Sequence, residues 1–215
     1  MSDRLALVLL AVCVLGAAPP QTLEQRLFTV ASAQPRPWYP VGITSPGALE
    51  TREQYEARVE LATRVLARAT LRRLDNGAYE VVPREWRWGR TALVVAVLAH
   101  WYEESRFAYE VHAGIKHPLF DQDSGGARCF GQLHSGPVPA TEWAQLAGLD
   151  EAATERCVVW TARVLTRMAR HCSKSRAADL LPMFSAMGGR GCAPTAAGRA
   201  KSARFAKMRR EIERR

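Results

Sequence analysis

Two neighbouring glutamates, Glu103 and Glu104, close the apolar run "LAHWYEESRF" at residues 98–107. Carboxylates are rarely taken out of water unless they are paired or put to use. A carboxyl at the end of a buried helix loses solvation, which favours its neutral form, and a carboxylic acid that holds its proton near neutral pH is a general acid. Consecutive helical residues point about 100° apart, so the two cannot face one cleft. One is expected to be the working acid and the other solvated or ion-paired. The alternative is that both cap the exposed end of the helix.

A second stretch with chemical content is "DSGGARCFGQLHSG", residues 123–136. Its glycines suit a loop folded back tightly on another element. Gln132 both donates and accepts hydrogen bonds, which fits contact with an amide or a sugar hydroxyl. His112, His117, Asp121 and Asp123 lie just before it or in it. They follow no metal-binding spacing, and neither a metal nor another cofactor is expected.

The elements that must position these residues read as helices. Tyr55, Val59, Ala62, Val65, Leu66 and Ala69 recur at helical spacing, with Thr51 as a cap. The segment from Ala92 to Ala99 is apolar all round, as in a fully buried helix, and Thr91 stands near its start. A short helix is expected after Thr141 and a long one after Asp150 through Cys172. Another covers "RAADLLPMFSAMGG", disturbed by Pro182, and a basic one ends the chain. Residues 75–89 have room for a small hairpin. The pattern is all-α with one irregular loop region. Three parts are expected: 1–18 a signal peptide, 19–48 a linker or extended arm rich in Pro, Gly, Ser and Thr, and 49–215 the helical domain.

The N-terminal apolar run, Leu5 to Ala18, is short for a membrane span and resembles the core of an export signal. Removing it leaves Cys129, Cys157, Cys172 and Cys192, an even number that favours disulfides in an exported chain. Cys157 and Cys172 lie fifteen residues apart on one expected helix. That is roughly 22 Å, against the roughly 7 Å that a disulfide allows, so they cannot pair. If the next helix runs back antiparallel for its full length, Cys192 returns to Cys157 and Cys129 joins Cys172. The rival scheme is Cys129–Cys157 with Cys172–Cys192.

With these residues in place, the chain resembles the lysozyme-like lytic transglycosylases of bacteria. "ESRF" at 104–107 matches their Glu-Ser at the end of a buried helix, and selects Glu104 over Glu103. "GARCFGQLH" at 126–134 matches their glycine-rich loop and puts Gln132 on the family's glutamine. The gap between the motifs carries an insert around "EVHAGIKHPLFDQ". "MFSAMGG" at 183–189 stands where the family has a tyrosine segment, with Phe184 or Met187 at the tyrosine. In the family that hydroxyl helps position the glutamate, so Tyr102 or Tyr109 substitutes, activity is reduced, or the domain binds without cutting.

The resemblance implies a lysozyme-like helical fold of the goose-lysozyme type. It also implies cleavage of the MurNAc-β-1,4-GlcNAc bond of peptidoglycan with a 1,6-anhydro product. Glu104 would be the catalytic acid and base, and Ser105, Gln132, Phe184, Met187 and Gly188 would line the substrate. The alternative on the same fold is a non-catalytic peptidoglycan-binding domain.

The net charge of +9 attracts polyanions. From Arg199 onward eight basic residues face two acidic ones, so this tail holds most of the charge. Glycan strands and anionic wall polymers of the envelope or extracellular space are the expected partners. Nucleic acid is the competing polyanion, and the export-like start and the site motifs argue against it. No stable membrane span is expected once the signal is removed.

Overall fold

The computed structural model describes residues 20–35, 51–72, 80–84, 86–113, 126–172, 180–187 and 191–214. The expected signal peptide, the arm beyond residue 35, His117, Asp121, Asp123 and Gly188 lie outside them. The described residues form eight helices and one two-stranded antiparallel sheet. The all-α class is therefore as expected. None of these helices is long and apolar enough to cross a membrane.

Helix α1 spans Leu23–Ser32. It corrects the reading of 19–48 as linker or arm. Thr22 and Gln25 form a reciprocal capping box, and Leu27, Val30 and Ala31 are buried. Helix α2, Arg52–Leu71, opens with the same device from Thr51 and Gln54. Helix α3, Arg90–Ser105, follows Gly89 as its N-cap, with Thr91 second in the helix, and every residue from Ala92 to Tyr102 is buried. Each fully buried Leu or Val there contributes on the order of 2 kcal/mol.

Helix α4 is Tyr109–Ala113 and α5 is Ala140–Ala144, the latter opening at Pro139 without the expected Thr141 cap. Strands β1, Ala127–Arg128, and β2, Leu133–His134, pair across the glycine-rich turn. The small hairpin thus lies here, and no strand forms among the described residues of 75–89. Helix α6 is Glu151–Cys172, with Asp150 Oδ1 accepting from the Ala153 amide at 2.7 Å. Helix α7 is only Leu181–Ala186, and α8 is Ala196–Glu213, capped by Thr195.

Helix α1 packs on α2, α2 on α6, α6 on α7, α7 on α8, and α8 back on α1. This closed ring surrounds α3, which touches α2, α6 and α8. The ring explains why α3 is apolar on every side. It tightens at Gly198 of α8, where a β-carbon would sit 2.8 Å from the Ser185 Cα and 2.9 Å from its amide nitrogen. Only glycine lets α8 approach α7 this closely, and Lys201 follows one turn later.

The disulfides are Cys129–Cys157 and Cys172–Cys192, with Cα atoms 6.0 and 5.4 Å apart. All four expected cysteines are used, but the favoured pairing Cys157–Cys192 with Cys129–Cys172 is overturned in favour of its rival. The cause is the length of α7. Pro182 stands in its first turn and the helix stops at Ala186, so the chain never runs back far enough to bring Cys192 to Cys157.

Candidate active site at the end of the central helix

Helix α3 ends abruptly. Arg106 and Phe107 both take left-handed backbone, with φ of 51° and 58°. Ser105, expected against substrate, is fully buried and serves this ending instead. Its Oγ donates to the Trp101 carbonyl at 2.9 Å and accepts from the Phe107 amide at 3.2 Å. Arg58 of α2 donates from Nε to the Phe107 carbonyl at 2.9 Å, clamping the turn.

The glycine-rich turn folds directly onto this helix end. Gln132 Nε2 donates to the main-chain carbonyl of Glu104. His100, one turn earlier on α3, holds the Gly131 carbonyl through Nε2 at 3.1 Å. A carbonyl only accepts, so the proton of a neutral His100 sits on Nε2. A β-carbon at residue 131 would lie 2.7 Å from Thr161 Oγ1 and 3.5 Å from the Trp101 ring, so the turn comes this near because residue 131 is glycine. Gln132 thus acts on the glutamate through the backbone, as a brace on the helix end.

The carboxyl of Glu104 is one quarter exposed. Its Oε1 accepts from Lys201 Nζ of α8, and His100 Nδ1 faces the same oxygen at 3.8 Å. Lys201 is itself buried, with 8% of its side chain exposed. Burial by itself pushes the Glu104 carboxyl up. Against that stand His100 where it carries its second proton, the Lys201 ammonium with its hydrogen bond, and His134 of β2, and the carboxyl lies below its ordinary range. The expectation that desolvation would hold Glu104 protonated is therefore corrected for this arrangement. Its partner, 97 residues away, is a cation.

Glu103 is ion-paired, one of the two fates expected for it. Arg204 Nε meets it at 2.9 Å and Arg106 at 3.4 Å. Arg204 also donates to Gln34 Oε1 at 2.7 Å, tying α8, α3 and the end of α1 together. Two of the tail's cations, Lys201 and Arg204, are thus turned inward onto the glutamates. Lys207 and Arg209 pair with Glu211 and Glu213 along α8. The outward charge of the tail is smaller than its composition suggests.

Phe184 is buried against Phe205 of α8, with rings 6.1 Å apart, and Met187 packs partly buried on the same core. Neither takes the tyrosine's part. Tyr102 does not either, because its hydroxyl donates to the Pro35 carbonyl at 2.9 Å. The side chain of Tyr109 lies outside the described residues. His112 is a core residue: it stacks on Phe130 at 3.8 Å and hydrogen-bonds Thr154 Oγ1 at 3.0 Å.

Sequence reasoning missed Lys201 and His100. Both left a signal. Lys201 shares one face of α8 with Phe205, Met208 and Ile212, so it is a lone cation on an apolar stripe. His100 stands four residues before Glu104, on the same side of α3.

Burial also sets a pH response. His100 is pushed down to about 4 by burial, helped by Lys201, and His112 to about 3 by burial, helped by Arg58. Both lie below the ordinary histidine value of roughly 6.5. Below pH 6.5 the unfolded chain binds protons that the native state refuses, so stability falls as pH falls through that window. Urea unfolding at pH 7 and pH 5 is expected to show a loss of about 2–4 kcal/mol, before ordinary carboxylates titrate. Equal stability at the two pH values would mean that both histidines accept protons in the fold.

Comparison of the chain with protein-family models, with curated proteins and with solved structures gives no match.

Proposed function

We propose that the chain is an exported lysozyme-like domain that cleaves the MurNAc-β-1,4-GlcNAc bond of peptidoglycan in the manner of a lytic transglycosylase, with Glu104 as its acid and base. One observation carries this reading. Glu104 and Gln132, from the two motifs behind the resemblance, lie 28 residues apart, and the motifs fold onto each other, with Gln132 bracing the carbonyl of Glu104. The brace fixes a side chain that is three-quarters covered and one quarter exposed to solvent. Two disulfides in the described fold suit the oxidising envelope where such a substrate lies.

In the reaction, Glu104 protonated would give its proton to the leaving oxygen. As carboxylate it would then take the proton of the muramoyl C6 hydroxyl while that oxygen closes the anhydro ring. The N-acetyl group of the sugar supports the positive charge between the two steps. Glu103 takes no part, because Arg204 and Arg106 hold it. The basic face of α8 left to solvent, with Arg199, Arg210 and Arg214, suits anionic wall polymer.

The second reading, a peptidoglycan binder that does not cut, is favoured by the Lys201 ammonium seated on Glu104. Digestion of purified sacculi followed by mass analysis separates the two. Fragments with 1,6-anhydro ends support the lyase, and reducing ends would make it a hydrolase. Intact sacculi that retain the protein would establish the binder.

A further inference from the structure

Lys201 is an unusual neighbour for a carboxyl that must at one stage carry a proton. An ammonium at hydrogen-bond distance favours the carboxylate, because protonation would leave a buried positive charge unpaired. Lys201 enters from α8, whose approach to α7 is fixed by Gly198 and whose Met208 and Ile212 are buried. It cannot leave with its helix, so only its flexible side chain can move. An ammonium has three donors, and among the described residues the structure gives it one acceptor, Glu104 Oε1. A quarter of the Glu104 side chain and 8% of the Lys201 side chain are exposed to solvent, and the ammonium sits directly against the glutamate's Oε1.

We propose that Lys201 keeps the proton off Glu104 until the free lactyl carboxylate of a muramoyl residue without its stem peptide engages its ammonium, so that the site selects acidic sugars over neutral ones. The proposal rests on the cleavage reading above and names its substrate class. Once a ligand anion shares the ammonium, two negative groups compete for one positive charge. Burial of Glu104 is then no longer offset, and Oε1 takes a proton from bulk water. The other groups facing Glu104 allow this. His100 on α3 is neutral at neutral pH, with its proton committed to the Gly131 carbonyl, and its bare Nδ1 points at Oε1. His134 on β2 is exposed to solvent and adds a weaker positive influence.

The test follows the carboxyl directly and needs no turnover. Protein labelled with carbon-13 at the glutamate side-chain carboxyls is titrated by NMR, and Glu104 is assigned by the signal that Glu104→Gln removes. In the wild type the Glu104 signal is expected to titrate below the ordinary carboxylate range. In Lys201→Met, with burial unopposed, it is expected to rise by about one pH unit or more. Saturating N-acetylmuramic acid, which bears a carboxylate, should raise it in the wild type. The methyl ester of that sugar should not. An unchanged titration in Lys201→Met, or an equal rise with acid and ester, overturns the proposal. Should Lys201→Met not fold, the wild-type titration with the two sugars decides alone. The cleavage reading is judged separately by the sacculus fragments: it falls if none appear, whatever the carboxyl titration shows.

Discussion

Glu104→Gln is expected to end the release of anhydro fragments from sacculi, with a loss on the order of 10²–10⁴ in rate, the usual worth of a general acid–base group. Gln keeps the shape and an oxygen for Lys201 but cannot carry the proton. The substitution also removes the anion that balances a buried ammonium. Its cost in stability should fall between the roughly 1 kcal/mol of exposed pairs and the roughly 3–5 kcal/mol of fully buried ones. Glu103→Gln is the matched control. It breaks an ion pair with Arg204 in a carboxyl only 12% exposed, so it should cost comparable stability and leave cleavage largely intact. The paired measurement is thermal unfolding beside fragment release at a temperature where both variants are folded. Equal loss of release in the two would move the acid off Glu104, and loss in Glu103→Gln alone would reverse the roles.

The parts of this site differ in how far they could be read from the chain. Helices α2 and α6 were legible because apolar spacing and local caps agree there, and α3 because its run is apolar on every side. Helix α1 was not, because the Pro- and Gly-rich residues after it dominate the composition of its neighbourhood. Its own signal was present in Thr22 and Gln25, a capping pair ahead of Leu27, Val30 and Ala31. Glu104 and Gln132 were legible as residues, while the contact between them was not. An amide that suits a sugar suits a main-chain carbonyl equally well, and only packing decides between them. The charge on Glu104 was misread for a related reason. Burial is local and can be read from the apolar run of α3, whereas the lysine that reverses its effect lies 97 residues away on another helix. The disulfide pairing turned on how far α7 runs, and element ends are the least determined feature of a sequence.

Opening the Cys129–Cys157 disulfide, by Cys129→Ala with Cys157→Ala, is expected to cost about 3–4 kcal/mol, from the chain entropy of a cross-link spanning 28 residues. The loss should not spread evenly. The turn that the disulfide ties to α6 holds Cys129 and Gln132 at φ of 58° and 44°, a backbone that costs side-chain-bearing residues on the order of 1 kcal/mol or more each. Without the cross-link, that strain falls on the hydrogen bonds from His100 to Gly131 and from Gln132 to Glu104 and on the packing of the turn. The turn should therefore loosen first and release the end of α3. The Cys172–Cys192 disulfide spans 20 residues and closes the far end of α6 on the segment before α8. Its removal, by Cys172→Ala with Cys192→Ala, should cost a similar stability with the Gln132 brace still in place. The two double variants are compared by thermal unfolding, by amide hydrogen exchange at Phe107 and Gln132, and by sacculus digestion. Faster exchange at both amides and impaired digestion are expected only when Cys129–Cys157 is lost. The same exchange rates in both variants would show that packing of Gly131 against Thr161 and Trp101, rather than the disulfide, holds the turn on the glutamate.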